Sequence, residues 1–285
     1  MKKKYIIVGF LILLILILVL VLKQKDVSPT SEGTSNYEFF KTSSYSAYKD
    51  NEILNVQLPF VFFKDAAGEY IPFNNAIKFQ LINDKNEAID VEFDKIINGN
   101  VEKDFSFYTL KLILPSLNDS DQASYKLLKV FFNNNKEESY DVGNINISKI
   151  EEVDDSEDIK VLRSTLLTTT VESYNTILEN DSKGNVCIND LTIDLTGYDI
   201  KTTVDVYDVD SNKKVASSCL MPNESAAFTF NIKGGETIKF STIRPVLNYT
   251  MDGKQKHIIL PAANYAAIIS GVEELKRILD MDKAL

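Results

Sequence analysis

Residues 112–127 read LILPSLNDSDQASYKL. The opening Leu112-Ile113-Leu114 closes an apolar run that begins at Tyr108, and Pro115 stops it because a proline nitrogen cannot donate to a sheet ladder. Asn118, Asp119, Ser120 and Asp121 are turn formers, since their short polar side chains bond their own backbone. A second apolar run then starts at Tyr125 and continues as Leu127 to Phe132, LLKVFF. Strand, polar corner and strand again is the repeating unit of an antiparallel all-β fold.

The same grammar extends outward. Tyr108 to Leu114 (YTLKLIL), Thr202 to Tyr207 (TTVDVY) and Ala227 to Ile232 (AFTFNI) are short and rich in β-branched or aromatic residues. They are punctuated by Asn133-Asn134-Asn135, Asp208 to Asn212 and Gly234-Gly235. Phe228, Phe230 and Ile232 alternate with Thr229 and Asn231, the period of a strand with one buried face. Many short strands separated by turns point to sandwiches or small barrels.

The quoted corner resembles the E–F corner of immunoglobulin-like domains. Those domains end strand E with an apolar-x-apolar pair, place an apolar residue three further on, and follow with Asp-x-Gly/Ala-x-Tyr. Leu112, Leu114, Leu117, Asp121, Ala123 and Tyr125 fall on those positions. The resemblance implies a tyrosine corner at Asp121 and Tyr125, in which the ring packs inward and the hydroxyl returns to the preceding backbone. Leu127 stands where the strand-F cysteine would be, and the chain contains no Trp for the usual core. The likeness bears on fold and not on function.

Two low-complexity breaks set the expected organisation. Residues 26–37 (DVSPTSEGTSNY) read as a flexible stalk, and 151–158 (EEVDDSED) as an acidic, solvated linker. They leave two β-sandwich blocks, 38–150 and 159–285, each of ordinary domain size. The segment 160–178 is ambiguous between strand and helix. At the end, Pro261 and Asn264 are expected to open a helix reaching about Asp280. Ile268, Val272, Leu275 and Leu279 recur on one face of that helix, which packs on its own domain or serves as a partner-binding face.

Ahead of the stalk, residues 5–22 (YIIVGFLILLILILVLVL) hold no charge and are framed by Lys2 to Lys4 and by Lys23 and Lys25. A helix of that length matches a bilayer core, so residues 1–25 are expected to be a transmembrane signal anchor; a cleaved secretory signal would be shorter and end in small residues. The positive-inside bias favours a cytoplasmic N-terminus with the rest extracytoplasmic. Five of the 31 basic residues lie at or before Lys25 and all 41 acidic ones lie after it, leaving the remainder near −15. Such a body argues against nucleic acid as a partner, because phosphate backbones need a basic face.

Catalytic signals are sparse. Cys187 and Cys219 either form a disulfide or pack as two buried thiols; no Cys-x-x-Cys occurs. His257 is the only histidine, which excludes a multi-histidine metal centre. Asp208 to Asn212 starts like a calcium loop but carries Lys213 and Cys219 where Gly and Glu are required, so it reads as a turn. No glycine-rich phosphate loop is present, and no cofactor is expected. The sequence therefore implies an all-β, membrane-anchored, non-catalytic binding, adhesion or scaffold protein with a protein partner at the cell surface. The alternative is a cell-envelope polysaccharide or peptidoglycan hydrolase using a carboxylate pair that the sequence does not locate.

Overall fold

A computed structural model describes residues 37–284 apart from 51, 64–72, 74, 116–121 and 152–157. The proposed anchor, nearly all of the stalk, most of the acidic linker and Asp121 lie outside the described residues. Tyr37, assigned above to the stalk, opens the first strand and is 8% exposed. Among the described residues no helix is long and apolar enough to cross a membrane.

The first block contributes β1 (Tyr37–Phe39), β2 (Thr42–Tyr48), β3 (Leu54–Phe63), β4 (Ala76–Asn83), β5 (Ala88–Val101), β6 (Phe105–Leu114), β7 (Gln122–Phe132) and β8 (Glu137–Lys149). One layer runs β1-β3-β6-β5 and the other β4-β7-β8-β2. The long β5 links them, pairing with β4 through Ala88 to Val91 and with β6 from Glu92 onward. Layers of this order, antiparallel except where β2 joins β8, with the opening strand divided between both, are those of an immunoglobulin-type sandwich. Between them lies a core that includes Leu58, Phe60, Leu81, Leu112, Leu128 and Val130. Tyr125 sits in β7 with its ring buried, and burial pushes its phenol pKa up.

The second block repeats the order. Its strands are β9 (Ile159–Ser164), β10 (Leu167–Thr168), β11 (Ser173–Asn180), β12 (Val186–Thr192), β13 (Lys201–Asp208), β14 (Lys214–Val215), β15 (Cys219–Leu220), β16 (Ser225–Lys233), β17 (Phe240–Arg244), β18 (Val246–Met251), β19 (Lys254–Ile259) and β20 (Ala263–Ala266). One sheet runs β14-β13-β16-β11-β9 and its partner β15-β12-β18-β19. The strand pairs β17–β18 and β19–β20 are separated by segments containing Pro245 and Pro261, so their outer halves leave this sheet and pair with each other. Phe228, Phe230, Ile232, Leu247 and Tyr249 fill the core between the layers.

The two blocks share more than the acidic segment. β2 pairs in parallel with β8 on one side and, through Tyr45 and Ser46, with β17 on the other. Its Tyr48 belongs to the first core, whereas Tyr45 and Ala47 belong to the second. Tyr37–Leu285 accordingly cluster as one compact unit. Asn146 donates to the Asp194 carbonyl at 3.1 Å and accepts from Thr196 at 2.9 Å, and Arg244 meets Glu52 at 2.6 Å across the same seam.

The C-terminal helix differs from the expected one. Ala263–Ala266 is strand β20, held by β17, and α1 spans Val272–Ala284. The helix begins later because Asn264 is tied into the sheet, while Glu274 reaches back to the Ser270 N–H at 3.0 Å and to its hydroxyl at 2.6 Å, a local cap. Leu275, Ile278 and Leu279 pack against Phe40, Val61, Phe105 and Phe240, so α1 rests on side chains from both blocks.

Candidate interaction surface

β10 lies at the end of the longest sheet and pairs only with β20 among the described strands. The chain reaches it by crossing from one sheet to the other after β9. That crossing is pinned: Thr165 N–H donates to the Asn175 carbonyl at 2.8 Å, and Thr176 donates its hydroxyl to the Arg163 carbonyl at 2.8 Å. On the far side Asn264 N–H donates to the Leu166 carbonyl at 3.0 Å. The backbone is thus fixed while its side chains are not covered. Leu162, Leu166 and Leu167 are 46%, 69% and 72% exposed.

These leucines border an open trough of about 1250 Å³. Its floor is the outer face of the five-stranded sheet, where Arg163, Ile177, Ala227 and Tyr207 stand opposite one another across four strands. Arg163 is the one charged side chain lining it. A trough lined by Thr, Ser and Asn as well as aliphatic side chains, with one charged group, lies beside a strand edge left open among the described residues, and is suited to accepting an extended segment whose main chain extends the sheet while alternate side chains enter the trough.

The remaining chemistry is structural in character. Glu138 accepts hydrogen bonds from Tyr37 and Tyr140 and is paired with Lys136 at 2.5 Å. Partial burial raises its pKa, but Lys136 and the two phenols outweigh that and hold it below the ordinary value. Every described carboxyl group whose pKa is displaced is displaced downward, as Glu52, Asp90, Asp205, Asp208, Glu236 and Glu274 illustrate. A glycosidase acid requires the opposite shift. Among the described residues no group of three or more His, Cys, Asp or Glu is placed to hold a metal ion.

The residues singled out from sequence are dispersed. Cys187 and Cys219 are joined in a disulfide between facing positions of β12 and β15. Leu275 and Leu279 are buried within the protein and Val272 is half-buried; Ile268 precedes the helix and is 72% exposed, so the four do not form one helical face. His257 lies on β19 with Nδ1 2.6 Å from Asn248 Oδ1. Asp208 closes the turn into β14 by accepting from the Ser211 N–H at 2.7 Å. The exposed leucine edge was missed by sequence reading, and the only hint of it was Leu166-Leu167 inside a Thr-rich run of undecided structure.

Neither a protein-family model nor a curated protein sequence matches the chain. Among solved structures it is similar to the titin domains z1z2 in complex with telethonin, at 9% identity and a TM-score of 0.23, over 82% of this chain and 98% of that one. It is similar to the D00-D0 domain of intimin at 10% identity and a TM-score of 0.22, over 81% and 99%. A third, the VesB protease of Vibrio cholerae, shares 7% identity at a TM-score of 0.26, over 77% and 89%. At these scores the likenesses carry no argument, and the all-β, immunoglobulin-like description rests on the strand order given above.

Proposed function

We propose that the chain is a membrane-anchored, extracytoplasmic, non-catalytic binding module that holds a protein partner by strand addition at β10. The apolar run Tyr5 to Leu22 with its flanking lysines supports the anchor and the orientation. The observation that carries the binding role is the state of β10. In the first block the corresponding strand, β2, is covered by β17; in the second block β10 presents Leu166 and Leu167 to solvent and has no strand beyond it among the described residues. The partner supplies an extended segment with alternating apolar side chains, doing for β10 what β17 does for β2. A second copy cannot repeat that contact, because its own β17 is already engaged. The downward-shifted carboxyl groups do not favour the envelope-hydrolase alternative.

The test uses a photo-crosslinking residue placed at Leu166 in full-length protein in its native membrane, with Ile53, 67% exposed in the first block, as control position. The expected result is one discrete adduct from position 166, none from 53, and slowed amide exchange at Leu167 and Thr168 in the purified adduct. Adducts of equal yield at both positions, an adduct with the mass of two copies, or no adduct would each overturn the proposal.

A further inference from the structure

Arg163 lies one residue before the end of β9, where the chain turns to cross toward β10. Leu166 follows three residues later. Three residues of extended chain span at most about 10 Å, and both side chains line the same trough.

The backbone of Arg163 is held in place. Its carbonyl accepts the Thr176 hydroxyl at 2.8 Å, and it stands opposite Ile177 in the sheet ladder. Its guanidinium is uncommitted. Of the three arginines in the chain, Arg244 meets Glu52 at 2.6 Å and Arg277 meets Glu274 at 3.9 Å. Arg163 has no carboxylate partner among the described residues. Ile177, Ala227 and Tyr207, which continue its row across the sheet, bring no negative charge. Acids elsewhere on this sheet are engaged: Glu179 stands opposite Lys160, and Asp205 meets Lys214 at 2.5 Å.

Solubility does not account for a bare cation at this place. A chain at −10 is already highly charged, and one more positive group lowers that magnitude. An arginine fork presents five donors and matches a carboxylate through two parallel hydrogen bonds.

We infer that the segment added at β10 carries an aspartate or glutamate side chain that seats on Arg163, which makes Arg163 a specificity-determining residue for the partner. This rests on strand addition at β10 and names the chemistry of what is added. The attraction is local. With a screening length of about 8 Å at physiological ionic strength, one guanidinium selects one carboxylate placed in the trough, while the acidic body repels a run of them. The partner segment is thus an apolar strand with a single acid in reach of Arg163.

The test keeps the photo-crosslinking residue at Leu166, in full-length protein in its native membrane, and varies position 163. Adduct yield should fall about fivefold in Arg163→Gln, fall further in Arg163→Glu and hold in part in Arg163→Lys. It should stay unchanged in Lys254→Gln, which removes a charge at the exposed start of β19. Added salt should lower the yield of the parent chain and leave that of Arg163→Gln as it was. Mass spectrometry of the adduct should place an Asp or Glu within about three residues of the crosslinked position, the span that separates Arg163 from Leu166. Exchanging that acid for lysine should restore the yield of Arg163→Glu.

The outcomes separate the two levels. No adduct from the parent chain removes strand addition and this inference with it. An adduct undiminished by Arg163→Glu, or a crosslinked segment without a carboxylate in reach, overturns the acidic partner and leaves strand addition standing. Arg163 is exposed in the free protein, so matching denaturation midpoints establish that folded chains are compared.

Discussion

β2 and β10 occupy the same place in two successive sandwiches, each pairing in parallel with the last strand of its own block. Their fates differ. β2 has a strand on both edges and cores on both faces, so a polar-looking TSSYSAY segment becomes one of the most buried in the protein. β10 has one neighbour among the described strands, and Leu167, with Leu166 just before it, stands in solvent. Burial of a strand here is decided by what lies beyond it more than by its own hydrophobicity.

The largest break in that comparison comes from Tyr45, which is 1% exposed and inserts from the first block into the core of the second. Tyr45→Ala removes a buried ring and leaves a cavity, and should cost about 3–5 kcal/mol. Denaturant unfolding of full-length protein measures it as a lowered midpoint. Independent blocks would instead unfold in separate transitions, only one of them moved by the substitution.

Next in size is the disulfide. Cys187 and Cys219 are 32 residues apart and close a loop that contains β13 and β14. Restricting the unfolded chain in this way stabilises by about 3–4 kcal/mol. The Cys187→Ser, Cys219→Ser double variant should lose most of that, with the effect confined to amide exchange in the second block. Equal loss of protection in β3 and β6 would mean that the seam transmits the damage.

What was legible in the sequence follows the same logic. YTLKLIL, LLKVFF and AFTFNI lie within β6, β7 and β16 because a strand with one wet and one buried face must alternate. β2 escaped that reading. Its Ser and Thr residues are tolerable inside only because partners satisfy them: Thr42 donates to the Val142 carbonyl at 3.0 Å, and Ser44 accepts from the Thr242 N–H at 3.0 Å. Those partners lie about one hundred and two hundred residues away, beyond any local pattern. The helix was placed too early because Pro261 and Asn264 look like a helix start, whereas strand pairing with β17 claims Ala263 to Ala266. Leu166 and Leu167 could not be read as exposed, since nothing local reports a missing neighbour.

A smaller effect probes the electrostatics of the covered seam. Partial burial raises the pKa of Glu52, but hydrogen bonds from Arg244 and from the Lys49 N–H outweigh it and hold the group below its ordinary value. A depressed carboxyl pKa contributes stability above the unfolded value, and that contribution is lost as the pH falls through the folded one. Glu52 and Arg244 are 29% and 23% exposed, so solvent screening limits the contribution to less than about 1 kcal/mol. Between about pH 6 and pH 3, Glu52→Gln should therefore lose stability less steeply than the parent chain, by that amount. Parallel pH profiles would show that the ion pair contributes nothing to the seam.

The smallest expected effect on stability falls on β10 and is the sharpest test of the comparison. Leu167 is 72% exposed, so replacing it removes little buried apolar area. Leu167→Thr keeps a β-compatible residue on the edge and should change stability by less than about 0.5 kcal/mol. The same substitution should reduce the crosslink yield from position 166, because Leu167 is the exposed apolar side chain of β10 that an added strand would meet. A residue that is silent in folding and decisive in association is one the chain keeps exposed for a partner. Were Leu167→Thr instead to cost as much as a core truncation, β10 would be packed in the free protein, and its difference from β2 would vanish.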